Sequence, residues 1–273
     1  MGIDNAAAML LVTARNENEV NFNNSVVIGR QKNYISKTLS RKLVRNLSIS
    51  ENQFRNEYSE FLFKALGAEN LSCLDISAYE GADVIQDLNI PIADDLYGRF
   101  NCVIDIGTSE HIMDAAQSIS NLRNLCRLGG HVIMLNPANN WLGHGFYQFS
   151  PELFYRSFSD EFGFKIKQVF LIEKRFFSDK WFQLNDPKNE GRRVSITTRY
   201  PTYIGVIAEK ISNSQISSTN QSDYELAWQK NQASALGSIY LRLPEILKKI
   251  TSFLIIRNLE KYRNKLRKYK PKV

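Results

Sequence analysis

Short apolar runs alternate along this chain with segments of helical periodicity. The runs are nearly continuous in apolar residues, which is typical of strands buried on both faces. The segments between them place apolar residues three and four positions apart, as in Phe54, Tyr58, Phe61 and Leu62. This alternation predicts an α/β fold, a Rossmann-like and mostly parallel doubly wound sheet with helices on both faces.

Seven runs have the length and composition of strands. In chain order they are NSVVIG, LSCLDIS, ADVIQDL, NCVIDIG, HVIMLNP, KIKQVFLIEK and TYIGVIAEK. Helices are predicted in the N-terminal MGIDNAAAMLLV, over 52–70, over 115–130 with a Gly-Gly end, and from Ser150, an N-cap followed by proline. We therefore expect residues 1–210 to form one domain with a seven-stranded sheet.

The composition changes after the seventh run. Residues 211–223 are rich in Ser and Asn and predict a polar linker, which leaves 224–273 as a separate tail. In the tail, Leu247, Ile250 and Leu254 fall at helical spacing. The tail is therefore predicted to form a basic amphipathic helix.

The net charge of +7 is concentrated in this tail. Residues 241–273 contain eleven Lys and Arg against two Glu, a net +9, which leaves about −2 for the other 240 residues. A near-neutral domain with a basic tail argues against a nucleic-acid partner, and an RNA-modifying enzyme is an alternative that rests on the tail alone. Two interpretations of the tail stay open: peripheral contact with an anionic membrane, or packing on the domain or on a second copy.

Other features restrict the class of protein. No apolar run approaches the roughly 18 residues of a membrane span, and Asp4 stands where a secretory signal would carry a basic residue. The cysteines at positions 73, 102 and 126 are scattered, which favours reduced core residues. Walker, HExxH, CxxC and GxSxG motifs are absent. We expect a cytoplasmic protein without a metal site.

Polar residues stand at the carboxyl ends of the strand-like runs. In an open parallel sheet, ligands bind at these ends, near the point where the strand order reverses. Asp75 ends the second run, and its carboxylate could accept hydrogen bonds from both hydroxyls of a ribose. Asp87 and Leu88 end the third run and suit the edge of an adenine.

The fourth run continues as CVIDIGTSEHI, in which an acid interrupts the apolar residues before a glycine turn. Asp105 is interpreted either as a cap of that turn or as an acid that faces a cofactor or a reacting group. Glu110 and His111 are either ordinary residues of a first helical turn or residues of a site. His131, which opens the next strand, is expected to be structural.

Together these motifs resemble those of class I S-adenosylmethionine-dependent methyltransferases. The resemblance covers about 20–210. It rests on Asp75, FNCVID, SEHI and LCRLGGHVI, which are the counterparts here of the family's strand-two acid and of its F-D-x-V, x-E-H-[VI] and L-x-P-G-G-x-[LVI] patterns. It implies S-adenosylmethionine as the cofactor. The residues it nominates for cofactor binding are Gly29, Arg30, Asp75, Asp87, Leu88, Asp105, Gly107 and Glu110.

The chain departs from the family at its glycine-rich first motif. VVIGRQKN has one glycine, Gly29, followed by Arg30 and Gln31. Arg30 could pair with the methionine carboxylate of the cofactor. Alternatively the pocket is partly filled and the cofactor lost, in which case the protein is a catalytically inactive binding or scaffold protein.

The resemblance implies methyl transfer to a small acceptor. GHGFYQFSPELF further resembles members that act in polysaccharide or surface-glycan biosynthesis, which makes a sugar hydroxyl the expected acceptor group. O-methylation requires loss of a proton, and His144 or His111 suits a general base near neutral pH, with Asp105 as a further catalytic candidate. Three aromatic residues are candidates for an acceptor-binding wall: Trp141, Phe146 and Tyr147.

Overall fold

The computed structural model describes most of the chain before residue 215 and parts of the C-terminal segment. The described residues are 2–176, 178–190, 194, 196–214, 219–222, 224–225, 228 and 268–272.

Strands and helices alternate through the described residues. The strands are β1 (Gly2–Ile3), β2 (Asn24–Ile28), β3 (Lys32–Asn33), β4 (Asn70–Asp75), β5 (Val84–Ile85), β6 (Phe100–Ile106), β7 (Cys126–Pro137), β8 (Phe164–Glu173), β9 (Lys180–Gln183), β10 (Thr202–Lys210) and β11 (Lys268–Tyr269). The helices are α1 (Asn5–Asn18), α2 (Lys37–Leu47), α3 (Glu60–Ala65), α4 (Ala115–Leu125), α5 (Pro151–Ser157) and α6 (Pro187–Glu190). Single 3-10 turns span Glu51–Arg55, Asp94–Leu96, Ser109–His111 and Asp160–Phe162.

One large sheet organises the domain. Its strand order is β11-β9-β8-β10-β7-β6-β2-β4-β5. The strands from β7 to β5 are parallel, whereas β10 lies antiparallel between β7 and β8. The order reverses between β2 and β6, so a crevice opens at the carboxyl ends of these two neighbours, which is where ligands bind in such sheets. The architecture is mixed α/β with a Rossmann-like, mostly parallel central sheet.

All seven predicted strands are present, but the predicted strand count is wrong because β9 and β11 bring the described sheet to nine. These two strands have four and two residues, too few to show a periodic pattern. The helix predicted over 52–70 is also shorter than expected. The chain is extended at Asn56, with φ −63° and ψ 143°, so a 3-10 turn and α3 replace one continuous helix.

Two apolar layers cover the two faces of the sheet. Successive residues of a strand point to opposite faces of the sheet. Val27 and Ile104 lie in the layer on one face, together with α1 residues such as Leu10. Val103 belongs to the other layer, with α4 residues such as Leu122. Helices on both faces of a mostly parallel sheet confirm the doubly wound arrangement that the sequence predicts.

The predicted basic helix lies largely outside the described residues. At Lys268–Tyr269, which the structure does describe, the helix prediction is wrong, because these residues form β11 and pair with β9. The Tyr269 ring lies 4.6 Å from the Phe170 ring, and its hydroxyl donates to Glu17 Oε2 at 2.7 Å. No helix among the described residues is long and apolar enough to cross a membrane.

The described parts of the predicted linker are hydrogen-bonded to the domain. Ser212 N donates to Gly163 O at 3.1 Å, and Ser222 N donates to Glu152 Oε1 at 2.8 Å.

Tyr269→Ala tests whether the C-terminal strand contributes to the fold. The variant loses the ring contact with Phe170, so we expect the free energy of unfolding to fall by about 1–3 kcal/mol. Urea denaturation measures this change. Lys270→Ala, at an exposed neighbouring position, is the control and should stay within about 0.5 kcal/mol of wild type. Equal stabilities of the two variants would show that β11 does not dock on the sheet.

Candidate active site at the carboxyl ends of β6 and β7

Asp105 holds the turn that follows β6. Its side chain is fully buried. Oδ1 accepts a hydrogen bond from Thr108 N at 2.9 Å, and Oδ2 accepts from Ser109 N and from Asn136 Nδ2, each at 3.3 Å. Burial raises the pKa of this carboxyl group, and the hydrogen bonds from the turn oppose that rise. These contacts favour the capping interpretation of Asp105 over direct contact with a reacting group.

Glu110 places a second carboxylate beside Asp105. Its side chain is 1% exposed, and Oε2 accepts from Asn136 Nδ2 at 3.0 Å. Oε1 is also buried and has no hydrogen-bond partner among the described residues. Burial and the neighbouring Asp105 charge raise the pKa of Glu110 to about 7. A buried acid that titrates near neutrality is typical of a functional site.

The loop after β7 folds back over Glu110. Phe146 N donates to Glu110 O at 2.8 Å. At Gly145, where φ is 80°, an added Cβ would lie 2.8 Å from the same carbonyl oxygen, so glycine is required for this close approach. The contact brings His144 to the site, with Nε2 3.7 Å from Glu110 Oε1.

His111 completes a three-residue cluster with Glu110 and His144. Its Nε2 lies 4.0 Å from Glu110 Oε1, and the two imidazole centroids are 5.2 Å apart. The histidine side chains are 43% and 45% exposed. Burial, and then the neighbouring His144, lower the pKa of His111. The cluster thus has a buried carboxylate as its floor and two imidazoles that reach solvent, an arrangement able to accept a proton or to hold a metal ion.

Asp75 and Gly107, two of the residues predicted to bind the cofactor, lie at the same edge of the sheet. Asp75 is half-buried at the end of β4, and its Oδ1 accepts a 3.3 Å hydrogen bond from Ser77 N. Gly107, with φ 78°, begins the turn after β6. Thr108 Oγ1 donates to Ile28 O at 2.9 Å and so ties this turn to the end of β2. Asp75 and Gly107 therefore stand on the two sides of the β2 carboxyl end.

Arg30, two residues after the end of β2, already has partners within the protein. Its Nε donates to Glu60 Oε1 at 2.7 Å, one Nη donates to Glu80 O at 3.0 Å, and the guanidinium lies 3.9 Å from the centroid of the Tyr58 ring. It helps to line a cavity of about 220 Å³ beside β2 and β4, smaller than the roughly 300 Å³ of typical ligand sites. The other Nη group is not used in these contacts, so pairing with a methionine carboxylate stays a prediction.

The Gln31 side chain packs into the turn after β2, where the class I methyltransferases that the sequence resembles have further glycines. The side chain is buried, and Nε2 donates to Ile28 O and Gly29 O, each at 3.1 Å. Gln31 Oε1 is buried with no hydrogen-bond partner among the described residues. Gly29 itself has φ 70° and donates from N to Leu74 O at 2.8 Å. Backbone carbonyls beside the crevice are therefore already paired with this side chain.

Asp87 and Leu88 lie on the loop after the edge strand β5. Asp87 Oδ1 accepts from Asn89 N at 2.8 Å and Asn89 Nδ2 at 2.9 Å, and these bonds lower the pKa of Asp87. The Leu88 side chain belongs to the core, and its carbonyl accepts from Asn121 Nδ2 at 3.0 Å. The predicted adenine contact therefore stays a prediction for this loop.

Of the three residues predicted to form the acceptor-binding wall, Trp141 and Tyr147 are half-buried and Phe146 is exposed. The Trp141 ring stacks on Tyr203 at 4.9 Å, and its Nε1 donates to Thr202 O at 2.9 Å. Tyr147 donates from its hydroxyl to Met113 O at 2.5 Å. Phe146 is 61% exposed and offers a free aromatic surface beside the cluster.

Asn136 is a site residue that the sequence pattern does not single out. It is fully buried on β7, and its single Nδ2 group donates to both Asp105 and Glu110. The available signal was an amide within the apolar run VIMLNP, directly before proline. The cluster of Glu110, His111 and His144 was also missed as a set of metal ligands, because 33 residues separate the two histidines.

No model of a known protein family matches the chain, and no curated protein matches it at a significant level. Solved structures with a similar chain trace include the YcgJ protein from Bacillus subtilis, with 9% identity, coverage of 75% of this chain and 99% of that chain, and a TM-score of 0.42. A second is the 1,6-didemethyltoxoflavin-N1-methyltransferase from Burkholderia thailandensis with bound S-adenosylhomocysteine, with 12% identity, coverage of 76% and 80%, and a TM-score of 0.40. Similarity at this level does not establish a family, so the strand order of the chain itself defines the fold.

Glu110→Gln tests the electrostatics of the cluster. The folded-state pKa of about 7 lies above the ordinary value of 4.5, so the wild-type protein loses stability as pH rises from 4.5 to 7. Glutamine does not titrate. We expect the variant to be more stable than wild type by about 1–3 kcal/mol at pH 8 in chelator-treated buffer, and the difference to vanish near pH 4.5.

Urea denaturation at pH 4.5 and pH 8 measures this difference. Glu69→Gln changes an exposed glutamate and should show no such pH dependence. A Glu110→Gln protein that is no more stable than wild type at pH 8 would contradict the assignment of an ionisation cost to Glu110.

Proposed function

We propose that this protein is an S-adenosylmethionine-dependent methyltransferase that modifies a hydroxyl group of a small acceptor, with a sugar of a glycan pathway as the acceptor class. One observation carries the proposal. Asp75 and Gly107, which suit the cofactor, and Glu110, His111 and His144, which suit proton transfer, converge at the carboxyl ends of neighbouring strands. These ends lie at the reversal of strand order in a doubly wound sheet, where such folds bind ligands.

The residues beside β2 fit the cofactor on its ribose side. The half-buried Asp75 carboxylate accepts a single long hydrogen bond from the described residues, which leaves it capacity for a ribose diol. Gly107 presents backbone without a side chain at the crevice. When bound, S-adenosylmethionine supplies an electrophilic methyl group. The work of this chain is to hold that group in line with the acceptor, which can contribute several powers of ten in rate.

The acceptor hydroxyl must also lose a proton. His144 Nε2 is the proposed proton acceptor, because its side chain is 45% exposed and the loop contact at Gly145 fixes its backbone near Glu110. Glu110 Oε1, 3.7 Å away, would stabilise the imidazolium that forms. His111 is the second candidate for the proton acceptor, because its Nε2 lies 4.0 Å from the same oxygen.

Exposed apolar side chains near the cluster support a sugar as the acceptor. Phe146, Leu142 and Met113 are 61%, 97% and 62% exposed. The C–H faces of a sugar ring pack favourably on aromatic and apolar surfaces, while its hydroxyls remain free to reach the imidazoles.

A second candidate function is a binding protein of the same fold without catalysis. The observation that favours it is Gln31, whose buried amide pairs with Ile28 O and Gly29 O at the first turn. This side chain occupies a position where the family leaves space for the cofactor. Titration with S-adenosylmethionine separates the two functions.

Asp75→Ala tests the cofactor site. We expect wild-type protein to bind S-adenosylmethionine and the variant to bind about 100-fold more weakly, because two hydrogen bonds from the ribose to a carboxylate are lost. Isothermal titration calorimetry measures both affinities. Asp95→Ala, an exposed acid, is the control and should bind as wild type does. Absence of binding by wild-type protein at millimolar cofactor would refute the methyltransferase proposal and leave the binding-protein alternative.

His144→Gln tests the proton acceptor. We expect the turnover number for the methylated acceptor to fall by about 10² to 10⁴, with the affinity for S-adenosylmethionine unchanged. His111→Gln is the matched variant and should have the smaller effect. Full activity in His144→Gln together with a large loss in His111→Gln would assign the proton to His111.

A further inference from the structure

The cluster of Glu110, His111 and His144 has the composition of a metal site. Each residue offers one ligand atom, and these three atoms lie within 4.8 Å of one another. Two imidazoles and one carboxylate are a common donor set for divalent first-row transition metals in catalytic sites that keep open positions. Two of the three ligands are imidazole nitrogens, which suit transition metals better than they suit Mg²⁺ or Ca²⁺.

The buried oxygen of Glu110 is suited to binding a cation. Oε1 is inaccessible to solvent and no described group donates a hydrogen bond to it, although Oε2 is paired with Asn136. A buried carboxylate oxygen without a partner is costly. The two nearest nitrogen atoms of the cluster, His144 Nε2 and His111 Nε2, are 3.7 and 4.0 Å away, too far for hydrogen bonds.

These distances suit a metal ion placed between the three atoms. Ligands of a tetrahedral ion at about 2.1 Å lie about 3.4 Å from one another. The two distances to Glu110 Oε1 would have to contract by about 0.3 and 0.6 Å, and the distance between the two imidazole ligand atoms, which is within 4.8 Å, by up to about 1.4 Å. The histidine side chains are nearly half exposed and have room for this movement. Asn136 already orients the carboxylate, as groups behind metal ligands commonly do.

We propose that Glu110, His111 and His144 bind a divalent first-row transition-metal ion, such as Zn²⁺, that keeps at least one coordination position open to solvent. Both imidazoles reach the surface, so the open position faces the side from which an acceptor would approach. Metal binding is independent of methyl transfer and can be measured without it.

The consequence for chemistry rests on the proposed function. An acceptor hydroxyl on the ion would be acidified, and its proton would leave to solvent water. The oxygen would then bond to the methyl carbon as the carbon–sulfur bond breaks, with the electron pair going to the sulfonium sulfur to give the neutral thioether. In this route His144 is a metal ligand and not the proton acceptor. Chelation should then abolish turnover, whereas a direct role of His144 as the base would leave turnover unaffected by chelators.

Cobalt titration of chelator-stripped protein without a polyhistidine tag tests the metal site. We expect Co²⁺ to produce visible d–d absorption with one equivalent bound, and Zn²⁺ to displace it. Glu110→Gln, His111→Gln and His144→Gln should each weaken Co²⁺ binding by about 100-fold or more. His131→Gln removes the chain's other histidine, which lies on β7 away from the cluster, and should bind Co²⁺ as wild type does.

Two measurements decide whether the site exists: the wild-type titration and its comparison with His131→Gln. Absence of Co²⁺ and Zn²⁺ binding at about 1 mM metal, or an equal loss of binding in His131→Gln, would overturn the proposal. Calorimetry with S-adenosylmethionine on the same protein reports the cofactor site separately. Metal binding without cofactor binding would refute methyl transfer and leave the metal site standing, and the reverse result would refute the metal site alone.

Discussion

Two buried carboxylates, Asp105 and Glu110, share the Nδ2 group of Asn136, and the arrangement of the candidate site depends on this interaction. Asp105 fixes the turn after β6, and Thr108 of that turn bonds to Ile28 O at the end of β2. The backbone carbonyl of Glu110 in turn anchors the loop that carries the second histidine. Burying two acids costs free energy that apolar residues would not, and carboxyl groups with pKa values raised in this way are typical of functional sites.

The same interaction determines the electrostatic character of the site. Asn136 satisfies one oxygen of Glu110 and leaves the other aimed at the two imidazoles. The floor of the site therefore attracts positive charge, either a protonated imidazole or a metal ion held with His111 and His144. Under the proposed function, both routes lead to loss of the acceptor proton: a neutral imidazole accepts it, whereas a metal ion acidifies the hydroxyl so that the proton leaves to water.

The sequence predicts the layers of this fold well because buried parallel strands leave continuous apolar runs. The sequence also predicts that Asp75 and Glu110 lie at one edge of the sheet, because the carboxyl ends of parallel strands share an edge. It does not predict that His144 meets Glu110, because that contact depends on a loop conformation and on the absence of a side chain at Gly145. Nor does it predict the ion pair of Arg30 with Glu60, which depends on tertiary packing and not on local pattern.

We propose that the cofactor binds beside the cluster of Glu110, His111 and His144. The chain has three histidines, two in the cluster and His131 on β7, so nitrogen-15 NMR of the imidazole side chains tests this claim most directly. On addition of S-adenosylmethionine, we expect the resonances of His111 and His144 to shift and those of His131 to stay in place. Unchanged resonances for all three histidines, or a shift confined to His131, would contradict the account.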